Sequence, residues 1–159
     1  MTIVFRIIMI IIPSHGGRSS RFYQELTYKR EIAREIGAYN YAMEKGGAVI
    51  LDAKVQSKST PEEVEEAMWA EIKKLHDEQV SDLELQKVKN RAEMRAVSSL
   101  VELGPRADRL QRGWTFRRET GRVNRELDFY RSVTAEEIQA SAQKYFHRDR
   151  RVVAYVLPK

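Results

Sequence analysis

Apolar residues recur along this chain with two periods, and the switches between them lay out its elements. In residues 48 to 56, Val49, Leu51, Ala53 and Val55 fall on one side, opposite Asp52, Lys54 and Gln56. That two-residue period predicts a strand with one wet face. The stretch "IGAYNYAM", residues 36 to 43, precedes it across a turn at residues 44 to 47. Together they predict an antiparallel hairpin. A third run, "RVVAYVL" at residues 151 to 157, predicts a closing strand.

Between the second and third of these runs the period lengthens to that of a helix. Three hydroxyl residues stand three places before a glutamate, each ahead of an apolar stripe: Thr60 with Glu63, Ser81 with Glu84, and Thr134 with Glu137. This is the capping-box spacing, in which the hydroxyl and the carboxylate satisfy each other's backbone amides. Pro61 sits where a missing amide proton costs nothing. The first of these helices directs Val64, Ala67, Met68, Ile72 and Leu75 inward. The second carries a long stripe: Leu85, Val88, Ala92, Ala96, Leu100, Leu103, Ala107, Leu110 and Trp114. Gly104 and Pro105 interrupt it, so a kink or a division into two helices is expected there. A short helix near Arg125 to Arg131 and another over Ala135 to Tyr145 follow.

Earlier in the chain, "GGRSSRFYQELTYKREIAREIGAY", residues 16 to 39, joins a glycine pair to a helix and then to the hairpin. Ser19 or Ser20 is placed to cap a helix from Arg21, with Phe22 and Leu26 on one face, that frays near Ile32 to Arg34. Before it, residues 3 to 12 are apolar except for Arg6 and are rich in β-branched side chains, which predicts a buried strand ended by Pro13. The run is too short for a membrane span, which needs about 20 residues. A signal peptide would want a basic start and a small-residue cleavage site, and neither is clear here. The order of elements is α+β: helices packed on one face of a mostly antiparallel sheet.

Composition narrows the chemistry. The 159 residues suit one domain of ordinary soluble composition, cytoplasmic or periplasmic. The absence of cysteine removes disulfides, thiolate metal sites and cysteine nucleophiles. The net charge of +5 is scattered among glutamates, with its densest groups at Arg117, Arg118, Arg122 and at Arg148, Arg150, Arg151. A solvated surface accounts for it better than a nucleic-acid face, which would concentrate the charge beside stacking aromatics.

His15, His76 and His147 are far apart in sequence, and neither zinc-peptidase helix motif, His-Glu-x-x-His or its inverse, occurs. His76, at a helix end, is expected to favour the dipole as a cation. Gly16 and Gly17 lack the lysine of a phosphate loop, Ser19 and Ser20 lack a base, and Glu62, Glu63, Glu65 and Glu66 read as a helix-start face. Trp69 and Trp114 are expected at the core or its boundary. Residue by residue, no catalytic machinery is visible.

The ordered series does carry a resemblance. Residues 16 to 39, "STPEEVEEAMWAEIKKL", "VSDLELQKVKNRAEMRAVSSL", "FYRSVTAEEIQASAQKYF" and "RRVVAYVLPK" resemble the C-terminal lobe of pitrilysin- and insulinase-type zinc peptidases, which include processing-peptidase subunits. The resemblance implies a domain at 16–159 preceded by an atypical apolar segment at 1–15, as if the lobe were shortened at its N-terminal end. It implies a lobe without zinc of its own that encloses peptide substrates beside a zinc-bearing lobe or subunit. The family's lobes often offer an Arg and a Tyr to substrate. Here those places hold Thr27 and Arg34, so no catalytic, metal or substrate-binding residue carries over. An alternative within the resemblance is a structural core subunit without peptidase activity. An exposed sheet edge or the strip at residues 3 to 12 would favour self-association into a homo-oligomer.

Overall fold

A computed structural model describes residues 20–42 and 46–157. The segment 1–15, Gly16, Gly17 and Ser19 lie outside the described residues, as does part of the hairpin turn.

Ser20 opens the described chain, accepting from the Tyr23 amide at 3.4 Å in the expected capping role. The helix it starts is not an ordinary α-helix. Tyr23–Lys29 is wound as a π-helix, closed by the Arg30 amide on the Glu25 carbonyl at 3.0 Å and by Ile32 on Leu26 at 2.9 Å. Phe22 and Leu26 are wholly buried along it. Glu31, at a left-handed φ of 52°, turns the chain sharply into strand β1, Ala33–Ala42. The expected fraying at Ile32 to Arg34 is therefore a corner, and the strand begins three residues early.

β1 pairs antiparallel with β2, Gly47–Val55, in the register Ala38 to Leu51 and Ala42 to Gly47. Ile36 and Ala38 share a face with Leu51 and Ala53, which packs on the core. The other face carries Tyr39, Tyr41 and the Glu35–Lys54 ion pair at 2.7 Å.

Five α-helices follow: α1 (Pro61–Asp77), α2 (Asp82–Ser98), α3 (Leu103–Arg117), α4 (Arg122–Ser132) and α5 (Ala135–Tyr145). α1 buries Val64, Ala67, Ile72 and Leu75 as expected, with Met68 at the margin. It also buries Glu71, whose carboxylate is held by the Lys74 ammonium. α5 packs along α1, and its Gln139 and Gln143 amides donate to the His76 carbonyl at 2.9 and 2.7 Å, satisfying the end of α1. Leu75 and Ile138 meet Phe22 and Leu26 in the centre of the core.

Each of the three predicted caps accepts its first-turn amide, but the full reciprocal box forms at Thr134 with Glu137. At Ser81 the partner Glu84 is drawn away: it receives both arms of Arg21 at 2.8 and 2.7 Å, tying α2 to the π-helical segment. Arg131 does the same for α4, reaching Glu93 of α2 at 2.8 Å.

The long stripe divides into two helices as expected, at Ser99 to Glu102 rather than at Gly104 and Pro105, which fall in the first turn of α3. Two expectations fail. Of the stripe, only the α2 part, Val88, Ala92 and Ala96, is buried. On α3 the same stripe faces solvent. Residues 151–157 make no ladder with the hairpin. Their anchors are side chains: Arg151 and Tyr155 both reach Glu65 of α1, while Val152 and Val156 are 97% and 95% exposed. β-branched residues favour an extended chain, but a strand exists only when a neighbour supplies its hydrogen bonds.

Candidate functional site

The two positions singled out by sequence both fall on irregular backbone. Thr27 lies within the π-helical segment, half-buried, with its Oγ1 enclosed and without a hydrogen-bond partner. Arg34 is the extra residue of a β-bulge: Ala33 opposes Val55 and Glu35 opposes Lys54, leaving Arg34 unmatched and exposed. A bulge re-aims a side chain relative to the regular ladder, and a π-turn shifts residues around a helix; both devices are common beside functional sites. Here the positions they present hold a short hydroxyl and a guanidinium. Neither is a general base.

The remaining chemistry is dispersed. Among the described residues, no three His, Asp or Glu side chains come together as a metal could require. His76 packs edge-on to Trp69, with ring centroids 6.2 Å apart. Burial pushes its pKa below the ordinary histidine value, although a hydrogen bond with the Ala142 backbone opposes this. It therefore favours the neutral form, contrary to the dipole-stabilising cation expected from its place at the helix end. The expectation missed α5, which covers the ring. The His147 ring lies 3.1 Å from the Lys144 carbonyl. His15 lies outside the described residues.

The arginines are also accounted for in part. Arg148 and Arg151 pair with Glu66 and Glu65, and Arg151 stacks over Trp69 at 5.4 Å. Two of the three arginines of this C-terminal group are thus paired with carboxylates of α1. Trp69 sits at the edge of the core, whereas Trp114 is 55% exposed.

What the fold does present is two surfaces. One is the outer face of the hairpin, bearing Tyr39, Tyr41, Asp52 and Lys54 next to the bulge. Gly37 belongs to it, and a Cβ there would collide with the Asp52 carboxylate. The other is the outward stripe of α3.

Comparison with known proteins places this geometry. Residues 15–92 match the family model described as the Peptidase M16 inactive domain. Over that stretch the chain is similar to M16 inactive domains. No curated protein matches it. Among solved structures it is similar to a protease from Helicobacter pylori, with a TM-score of 0.79 at 18% identity. A proposed zinc protease from Bordetella pertussis Tohama I gives 0.81 at 16% identity. The inactive peptidase domain of a proposed zinc protease from Bordetella parapertussis gives 0.83 at 15%. The chain is covered to 91% by the first and 99% by each of the others. It spans 34% of the Helicobacter chain and 84% of each Bordetella chain. These likenesses show the fold, an α+β unit shared with the matched structures. No described helix is long and apolar enough to cross a membrane.

Proposed function

We propose that this M16 lobe forms one wall of a peptide-enclosing chamber, while a partner lobe or subunit holds the zinc and performs hydrolysis. The observation that carries this reading is the match of residues 15–92 to the inactive domain. The outer hairpin face, with Tyr39 and Tyr41 exposed, is the surface that would line the chamber. Extended peptide could lie along it, with the aromatic rings covering its apolar side chains. Thr27 and Arg34 take no part in substrate capture, and no residue of this chain acts on the scissile bond. Zinc in the partner would supply a polarised water for attack on the peptide carbonyl.

Metal analysis and peptidase assays on the purified chain test the reading. We expect no stoichiometric zinc and no cleavage by the chain alone. Adding the zinc-bearing M16 subunit of the same source should give cleavage above that of the subunit by itself. One zinc per chain, accompanied by peptide cleavage, would overturn the proposal.

A second reading, a structural subunit without peptidase activity, is favoured by the exposed stripe of α3. Its partner would be a complex lacking any zinc motif, and the added subunit would then remain without effect.

A further inference from the structure

We propose that the outward stripe of α3 is the face through which this lobe docks onto its zinc-bearing partner, and that the matching surface is apolar and bordered by carboxylates. The inference rests on the reading of the chain as a non-catalytic lobe.

Helix α3 is amphipathic the wrong way round for a helix serving its own core. Its stripe, Leu103, Ala107, Leu110 and Trp114, has the four-three-four spacing of a seam that meets another element along its length. Yet Leu103 is 78% exposed, Trp114 55% and Leu110 41%. The side turned inward is polar. Arg109 reaches Glu126 of α4 at 3.4 Å and the Ala96 carbonyl at 3.3 Å, and Gly113 is buried beside it. A Cβ added to Gly113 would meet the Glu119 carbonyl at 2.6 Å, so the inward side is already closed. The stripe cannot be buried by a small rotation of the helix, because that would drag Arg109 out of its ion pair.

Charge identifies the kind of occupant. Over Leu103–Arg117 there are four arginines; Arg109 is paired inward with Glu126 and Arg112 with Asp108, so the charge beside the stripe is that of Arg106 and of Arg118 just past the helix end. On the helical wheel Arg106 and Arg118 border the stripe on opposite sides. The Arg118 guanidinium lies 5.6 Å from the Trp114 ring, and Arg106 holds the Leu100 carbonyl at 2.7 Å. A second copy of this chain would set arginine against arginine. The apolar run at residues 3 to 12 has Arg6 and no carboxylate, so it offers the border nothing. A partner surface edged by Asp and Glu satisfies both the stripe and its rim.

Two further features suit a protein rather than a lipid surface. The seam is narrow, whereas helices lying in membranes present a broad apolar face. Near its start, a Cβ on Gly104 would meet nothing within 4 Å, leaving the backbone open to close approach. In the Helicobacter protease, the matched unit is 34% of the chain, so most of that polypeptide lies outside it and is available as cover.

The test measures binding of the purified chain to the zinc-bearing M16 subunit of the same source by titration calorimetry. Four proteins are compared: the unaltered chain, Leu110→Glu, the Arg106→Glu/Arg118→Glu pair, and Leu83→Glu. Leu83 is 82% exposed on α2 and serves as a control. Circular-dichroism melts verify that each variant is folded. We expect Leu110→Glu and the arginine pair each to weaken binding at least tenfold, Leu83→Glu to change it less than twofold, and salt to weaken the unaltered complex. Binding that survives both α3 changes would overturn the docking face and leave the lobe reading intact. No binding by the unaltered chain would overturn both. Sedimentation as a dimer that Leu110→Glu dissociates would replace the partner by a second copy. Binding to phosphatidylserine vesicles that the same change abolishes would replace it by lipid.

Discussion

Helices α1 and α3 carry apolar stripes of the same period, yet they stand in opposite relations to the rest of the chain. α1 lies between the hairpin and α5 and buries Val64, Ala67, Ile72 and Leu75. α3 meets α4 through the Arg109–Glu126 ion pair and leaves its leucines and tryptophan in solvent. Their termini differ in the same sense. α1 begins with a capped Thr60 and Pro61, and α3 begins at Glu102 with no side-chain cap. The period of a stripe says that a face needs cover; it does not say whether the cover comes from the same chain.

The largest expected effect breaks the two helices apart. Leu75 is fully buried, so Leu75→Ala should cost about 2–5 kcal/mol of unfolding free energy in a denaturant titration. Leu103→Ala in α3 should change it by less than about 0.5 kcal/mol, because no packed neighbour is lost. Equal losses at the two sites would mean that α3 is covered within the isolated chain.

Next in size is the tie between α2 and the π-helical segment. Arg21 gives both arms to Glu84, and the two side chains are only 21% and 27% exposed. The ion pair raises the Arg21 pKa further and keeps the guanidinium charged. Arg21→Met keeps much of the packing but strands the carboxylate, and should cost about 1–2 kcal/mol. A double change with Glu84→Gln should recover part of that loss.

A smaller effect separates the caps. Thr134→Ala removes the hydroxyl of a complete capping box and should cost about 1 kcal/mol. Ser81→Ala should cost less, since Glu84 is committed to Arg21 and returns nothing to the cap. These caps also measure how far the sequence could be read. Spacing alone located all three helix starts, because capping is settled within four residues. The fate of Glu84 was hidden, because its partner lies 63 positions away. The π-winding of Tyr23–Lys29 was hidden too: seven residues make under two turns, too few apolar repeats to tell an i→i+5 winding from an i→i+4 one. The places of Thr27 and Arg34 could be named from the resemblance. That Arg34 would sit on a bulge depends on the register of β1 against β2, which the pattern of residues 36 to 43 leaves open. The apolar run at 151–157 correctly marked an extended chain in want of a partner, and wrongly supplied one.

The smallest effect is the pH dependence, and it too distinguishes the packed region from the open one. Burial under α5 lowers the His76 pKa, so the folded chain binds less than a full proton where the unfolded chain still binds one. Stability then rises with pH across that window. It should be fully present above the ordinary value of about 6.5 and should decline as pH falls through the folded value. Asp77 attracts a proton to the ring and opposes the shift, while Lys73 and His147 repel it and add to the shift. Lower down, Glu25 and Glu93, held below the usual glutamate range by Arg30 and Arg131, lose their stabilising charge with the same sign. The two windows separate on substitution. His76→Gln should flatten the melting temperature between about pH 5 and 7 and leave the acid limb below about pH 4.5 in place. A slope that persists in that variant would assign the upper window to another group and would remove the case that α5 seals the end of α1.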